Sequence, residues 1–337
     1  MAGPLFHYYR SLADTCGNEG EDGFLSLKHG RDMASGVAYG IGAGALWGLV
    51  FLAPELVRDF SPLQLAIGRY LAYGVFSLAV IAPRWRDIVR RLTRTQWLVL
   101  LWLAFCGNTL YYVLLAAAVR NGGIAMTSLV IGFLPVAVTL IGSRDHGAIP
   151  LRQLAPSLLL SAAGALCIGW RALGVPAQGE AVRGAIGLVC ASGALACWTS
   201  YAVVNARWLT RMDPAVVRDW NPLTGVVTGA QALLLIPLSL LLDTTLHPSA
   251  AWIRFSAVSA GVALIASMVG NVLWNRMSRL LPLTLAGQMI LFETVFALLY
   301  GFLWERRLPV PLEAAAFVLL IASVVSCVAV HRQPAHA

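Results

Sequence analysis

Apolar residues in this chain come in long blocks, without the strict alternation of strands or the one-sided stripe of a soluble helix. Ten blocks with few or no charges recur, at 34–56, 62–82, 97–118, 122–142, 151–170, 184–206, 215–242, 255–277, 282–303 and 310–330. A helix of about 20 residues, rising 1.5 Å per residue, crosses a hydrocarbon core of roughly 30 Å. Only helices and closed barrels satisfy their backbone hydrogen bonds inside lipid, and blocks of this length suit helices. The pattern predicts an all-α integral membrane protein with ten transmembrane helices, here spans 1 to 10. Residues 1–33 read as a polar N-terminal tail without the apolar core of a cleavable signal, 171–183 as a linker, and 331–337 as a C-terminal tail.

Charge orients the spans. With an even number of crossings both termini share a side. Of the 24 lysines and arginines, 16 fall on the side of the termini and of residues 83–96, seven on the other, and Arg69 within span 2. The excess predicts that the termini and the arginine-rich segment are cytoplasmic and that 171–183 is periplasmic. Composition agrees: 12% charged residues and a mean hydropathy of +0.74 leave too little polar surface for a soluble body. The net charge of +8 is juxtamembrane, so no nucleic-acid partner is expected. The six cysteines form no CxxC and no Cys/His cluster, and neither a metal, a disulfide nor a cofactor is expected.

Short sequences repeat in order along the two halves. Gly107-Asn108-Thr109-Leu110-Tyr111 in span 3 reads against Gly270-Asn271-Val272-Leu273-Trp274 in span 8, and Gly44-Ala45-Leu46 against Gly193-Ala194-Leu195. Ser61-Pro62 and Asp213-Pro214 each offer an N-cap followed by proline at the first helical position. Pro150-Leu151 matches Pro311-Leu312. Two five-helix repeats follow, 34–170 and 184–330. An odd number of spans per repeat inverts the second, the plan of transporters whose substrate site lies at mid-membrane between the repeats.

Several motifs resemble the drug/metabolite transporter superfamily in its ten-helix EamA-type branch. Ala45-Leu46-Trp47-Gly48 is similar to the Trp-Gly of the family's first helix, Pro62 with Arg69 to its proline-to-arginine spacing, and Leu134-Pro135-Val136 to its Pro-Val. Glu293-Thr294-Val295-Phe296-Ala297 resembles its Glu-Pro-Val-Phe-Ala with threonine for proline, which removes an expected kink, and Gly301 to Glu305 resembles its Gly-x-x-x-Glu. Ser143-Arg144-Asp145 stands where the family has a glutamate after span 4. The likeness covers 34–330 and is strongest to the YddG-type exporters of aromatic amino acids. It implies alternating-access export across a bacterial inner membrane. Efflux of drugs, nucleosides or other metabolites is the alternative within the family.

Polar side chains in a span are costly and tend to face the bundle interior or a water-filled cavity. Span 3 sets Asn108, Tyr111 and Tyr112 on one face, span 8 Asn271, Trp274 and Asn275, and span 6 Trp198, Tyr201 and Asn205. Trp47 in span 1 and Gln288 in span 9 complete the candidate substrate-binding residues. Amides and flat rings together suit a zwitterion with a large apolar or aromatic side chain. The alternative is that the amides bridge helices and the rings fill gaps. Glu293 and Arg69, at comparable depths, are candidates for a coupling or charge pair. Stripes of Gly40, Gly44 and Gly48 in span 1 and of Gly225 and Gly229 in span 7 predict close helix packing. No HExxH, GxSxG or second deep carboxylate points to an enzyme. The expected partners are a small-molecule substrate and the bilayer, with monomer and homodimer both open.

Overall fold

The computed structural model describes residues 31–173 and 181–332. The bulk of the two tails and the centre of the 171–183 linker lie outside them. Among the described residues nine helices are long and apolar enough to cross a membrane: Arg31–Leu56, Pro62–Arg91, Arg94–Val119, Leu151–Ile168, Val182–Arg211, Pro214–Leu242, Ser249–Leu280, Leu283–Glu305 and Pro311–Arg332. The chain between Val119 and Ser143 supplies the tenth. The protein is an all-α integral membrane protein.

Local chemistry starts the helices where the sequence places them. Ser61 opens span 2 with a capping box, its hydroxyl accepting from the Gln64 backbone N–H (3.3 Å) while Gln64 Oε1 accepts from the Ser61 N–H (2.8 Å). Thr93 and Gln96 repeat the device for span 3 (3.2 and 2.9 Å). Asp213 caps span 7 by accepting from the Ala215 N–H (2.7 Å).

The break expected at 119–121 is absent. Helical backbone runs from Arg94 through Ile131, about 57 Å if straight and nearly twice the core thickness. It nevertheless reverses. A Cβ at Gly107 would meet the Tyr201 ring at 2.4 Å and one at Gly193 would meet Leu114 at 3.1 Å, so span 3 runs antiparallel along span 6. Asp145 is back at the starting end, paired with Arg207 of span 6 at 2.6 Å. Within this stretch Asn121 Nδ2 donates to the Ala117 carbonyl one turn back (2.8 Å). The first interruption falls at residues 132–133, beside Pro135.

Span contacts show the inverted symmetry. Spans 2 and 7 cross where a Gly229 Cβ would lie 2.7 Å from Gly74 Cα, and spans 5 and 10 meet through Ser323 Oγ donating to the Ser157 carbonyl (2.6 Å). Spans 4 and 9 meet through Thr139 Oγ1 donating to the Thr284 carbonyl (3.1 Å). Each of these pairs joins a span to its own counterpart. The span 3 to span 6 contact is mirrored by span 8 to span 1, where Trp47 Nε1 donates to the Ala266 carbonyl (3.1 Å).

Both glycine stripes act as close-packing faces. On span 1, Cβ atoms at Gly40, Gly44 and Gly48 would lie 2.8 Å from Met289, 2.5 Å from Phe292 and 2.8 Å from Phe296, so span 1 rests on span 9. Span 9 keeps helical dihedrals throughout and is interrupted in its pairing only at Ile290, between Leu283–Met289 and Leu291–Glu305. The first piece packs on span 4, where a Gly287 Cβ would lie 2.8 Å from Thr139 Oγ1, and the second on span 1.

Candidate functional site

Four predicted rings converge at the centre. Trp47 and Trp274 lie 5.1 Å apart between ring centroids, Trp47 and Trp198 6.1 Å edge to face, Trp198 and Trp274 5.7 Å, and Trp198 and Tyr201 5.7 Å. Such offset and T-shaped contacts suit aromatic quadrupoles. All four side chains are buried. They make a packed aromatic block contributed by spans 1, 6 and 8.

On span 1, Trp47 has Arg69 and Glu293 as neighbours in depth, each about seven to twelve residues from its span's outer end. Arg69, Glu293, Asn108, Tyr111, Tyr112 and Asn271 all keep part of their surface open. Tyr70 meets Tyr112 edge to face at 6.3 Å, Arg69 and Trp47 bond neighbouring residues of span 8, Ser267 and Ala266, and Gly44, one turn before Trp47, packs on Glu293, so these groups surround one centre. Arg69 Nε donates to Ser267 Oγ (3.0 Å) and its guanidinium lies 5.5 Å from the Tyr70 ring centroid. Its two terminal nitrogens have no hydrogen-bond partner among the described residues. Glu293 has none either, and the two do not form an ion pair. The centre thus presents a cation and an anion, held apart, beside rings of Tyr111, Tyr112 and Trp47.

Glycine packing fixes that geometry. The Gly44 position sits against Phe292 carbonyl carbon (2.8 Å) and Glu293 nitrogen (2.9 Å) as measured from a built Cβ, so span 1 holds the backbone of Glu293 directly. Asn108 lies in a π-helical segment, Phe105–Thr109, and Asn271 directly follows another, Ala263–Gly270. The repeated Gly-Asn pairs therefore mark the same irregularity in both halves. π segments occur mostly as single turns inside α-helices and often at functional sites.

The profile of the EamA-like transporter family matches residues 34–170. The inner membrane protein YtfF of Escherichia coli (strain K12) is 34% identical over 321 residues, covering 90% of this chain and 97% of that protein. The chain belongs to the EamA-like transporter family. It is a multi-pass membrane transporter of the drug/metabolite superfamily. A crystal structure at 18% identity superposes with a TM-score of 0.68, over 89% of this chain and 99% of the other, and speaks for the fold.

Not every predicted site residue of the transporter faces the centre with a free polar group. Asn108 Nδ2 donates to Thr228 Oγ1 (3.3 Å). Asn205 is buried, its Nδ2 donating to Asn275 Oδ1 (2.9 Å) and its Oδ1 accepting from Trp220 Nε1 (3.1 Å). Gln288 is fully buried, donating to Thr139 Oγ1 (3.3 Å) and accepting from Ser323 Oγ (2.9 Å). Asn205 and Gln288 therefore tie helices together. Sequence reading passed over Tyr73 and Asn221, whose hydroxyl and Oδ1 meet at 2.6 Å while Asn221 Nδ2 donates to the Met268 carbonyl (3.1 Å). Their signals were Tyr70 and Tyr73, three residues apart beside Arg69, and an amide just before the intrahelical Pro222. Asp145, in place of the family's glutamate, serves the ion pair with Arg207.

Proposed function

We propose that the transporter exports zwitterionic amino acids with aromatic or large apolar side chains, by alternating access, across a bacterial inner membrane. The single observation that carries this is the pair Arg69 and Glu293, partly open around one aromatic centre and, among the described residues, in no ion pair. A guanidinium fork fits a carboxylate bidentately, a carboxylate takes an ammonium, and Trp47, Tyr111 and Tyr112 offer faces to the side chain. Drugs, nucleosides and uncharged metabolites would leave at least one of the two charges desolvated and unmatched, at a cost in affinity.

Counterflow in liposomes containing the purified protein tests this. Labelled phenylalanine should exchange, whereas phenethylamine and hydrocinnamate, each lacking one charge, should exchange at least tenfold less well. Ring contacts of about 0.5–1.5 kcal/mol predict that Trp47→Ala raises the half-saturating phenylalanine concentration several-fold and that of valine less. Exchange of nucleosides or cationic drugs without amino-acid exchange would replace this reading with general efflux.

The placement of the ends rests on the charge asymmetry, 16 basic residues against seven. Thr93 and Leu246 lie at opposite ends of the bundle and both are exposed. In a cysteine-depleted background, a cysteine at Thr93 should react with an impermeant maleimide only after the inner face is opened, and one at Leu246 in intact cells. Labelling of both from one face contradicts the inverted topology.

A further inference from the structure

The structure assigns an anionic-phospholipid site to the cationic face of the short helix Trp85–Arg91 and the start of span 3. This site is separate from the transport centre and does not rest on the proposed substrate. The helix links spans 2 and 3 at the membrane boundary. Around it, Trp85, Ile88 and Val89 occupy one side, with Ile88 buried and Trp85 and Leu92 packed on the core. Arg86, Asp87, Arg90 and Arg91 occupy the other side and are exposed, and exposed Arg94 follows one turn later. With its apolar side packed on the bundle, the helix turns its polar side outward at the shared end of spans 2 and 3, the level of lipid headgroups.

Arg84 pins the segment to the bundle. It meets Asp219 of span 7 at 3.1 Å, a carboxylate only 5% exposed. The remaining arginines are different from those at the opposite end of the spans. There Arg58 pairs with Glu55, Arg254 with Asp59, and Arg307 with Glu305 and with Glu313 at 2.6 Å. Among the described residues Arg86, Arg90, Arg91 and Arg94 have no ion-pair or hydrogen-bond partner, and Asp87 is the sole carboxylate in the segment. Four exposed guanidiniums within nine residues, held at the end of two spans, complement the phosphates of an anionic leaflet. Each such cation near the surface strengthens anionic-lipid binding about fivefold.

The test is native mass spectrometry and lipid exchange on the full-length protein in mixed micelles of phosphatidylglycerol and phosphatidylcholine. The parent should retain phosphatidylglycerol at least tenfold over phosphatidylcholine at low salt, with the preference collapsing at high salt. The variant R86Q/R90Q/R91Q/R94Q should lose it, while R254Q, altered at the other end, keeps it. Thermal unfolding in neutral detergent checks that the quadruple variant is folded. An undiminished preference in the folded quadruple variant overturns the assignment. So does displacement of the lipid by inorganic phosphate at millimolar concentration, which would make the site a free-anion site. If the quadruple variant does not fold, R90Q/R91Q alone should still weaken the preference several-fold, and no change there overturns it.

Discussion

Replacing Gly44 by alanine should leave little transporter folded and abolish transport in what remains. The added methyl carbon would lie 2.5 Å from Phe292 Cβ, 2.8 Å from its carbonyl carbon and 2.9 Å from the Glu293 nitrogen. Two of these three atoms are backbone of span 9 and cannot rotate away. Overpacking of a well-packed site typically costs about 1–3 kcal/mol, and a backbone obstruction belongs at the upper end. Separation of spans 1 and 9 would also shift Glu293 against Arg69. The control is Gly301→Ala on the same span 9, where nothing lies within 4 Å. Fluorescence-detected size exclusion and thermal unfolding should show a large loss for Gly44→Ala and little for Gly301→Ala. Equal behaviour of the two would mean that spans 1 and 9 are not in direct contact.

Glu293→Gln should uncouple the transporter. The carboxylate stands partly open about halfway along span 9, without a hydrogen-bond partner among the described residues. A group placed so can take a proton from one side and release it to the other as access alternates. Glutamine keeps the size and the hydrogen-bonding capacity but does not titrate. The expected result is loss of accumulation driven by a proton gradient, at least tenfold, with counterflow retained at saturating substrate and its half-saturating concentration raised, because glutamine offers the ammonium no charge. Should the variant accumulate substrate against a gradient as the parent does, transport draws on another gradient and Glu293 is not the coupling group. Loss of both activities would place Glu293 in substrate binding, as the ammonium partner proposed for it.

Much of the fold was legible because lipid imposes lengths and glycine imposes distances. The spans follow from blocks near 20 residues, and the stripe of Gly40, Gly44 and Gly48 marks a contact that the structure places against span 9. The turn between spans 3 and 4 was not legible. Helical backbone runs through Arg120-Asn121-Gly122-Gly123, a stretch whose composition suggests a loop. Nor was the interruption at Ile290, which no proline or glycine marks. Within the site, Trp47, Trp198 and Trp274 were each legible as rings within a span, and the structure brings them together. The fates of Asn205 and Gln288 were not legible. A sequence shows that an amide lies on a helix, but its partners, Asn275 and Trp220 or Thr139 and Ser323, are set by the rotation of neighbouring helices.

The two π-helical segments have a consequence for how such a bundle can move. Each turn of π-helix accommodates an extra residue relative to the α-helix around it, so spans 3 and 8 carry slack at equivalent depths. Passing that residue along the helix turns the stretch it traverses by about 100° while both ends stay where they are anchored. In span 3 the rotating stretch would include Tyr111 and Tyr112, downstream of the cap at Thr93, and in span 8 Trp274. The centre could then exchange its lining, wet side for dry, by two register slips of opposite sense, with the loops, the ion pairs at the bundle ends and the contacts of Gly40, Gly44 and Gly48 with span 9 left in place.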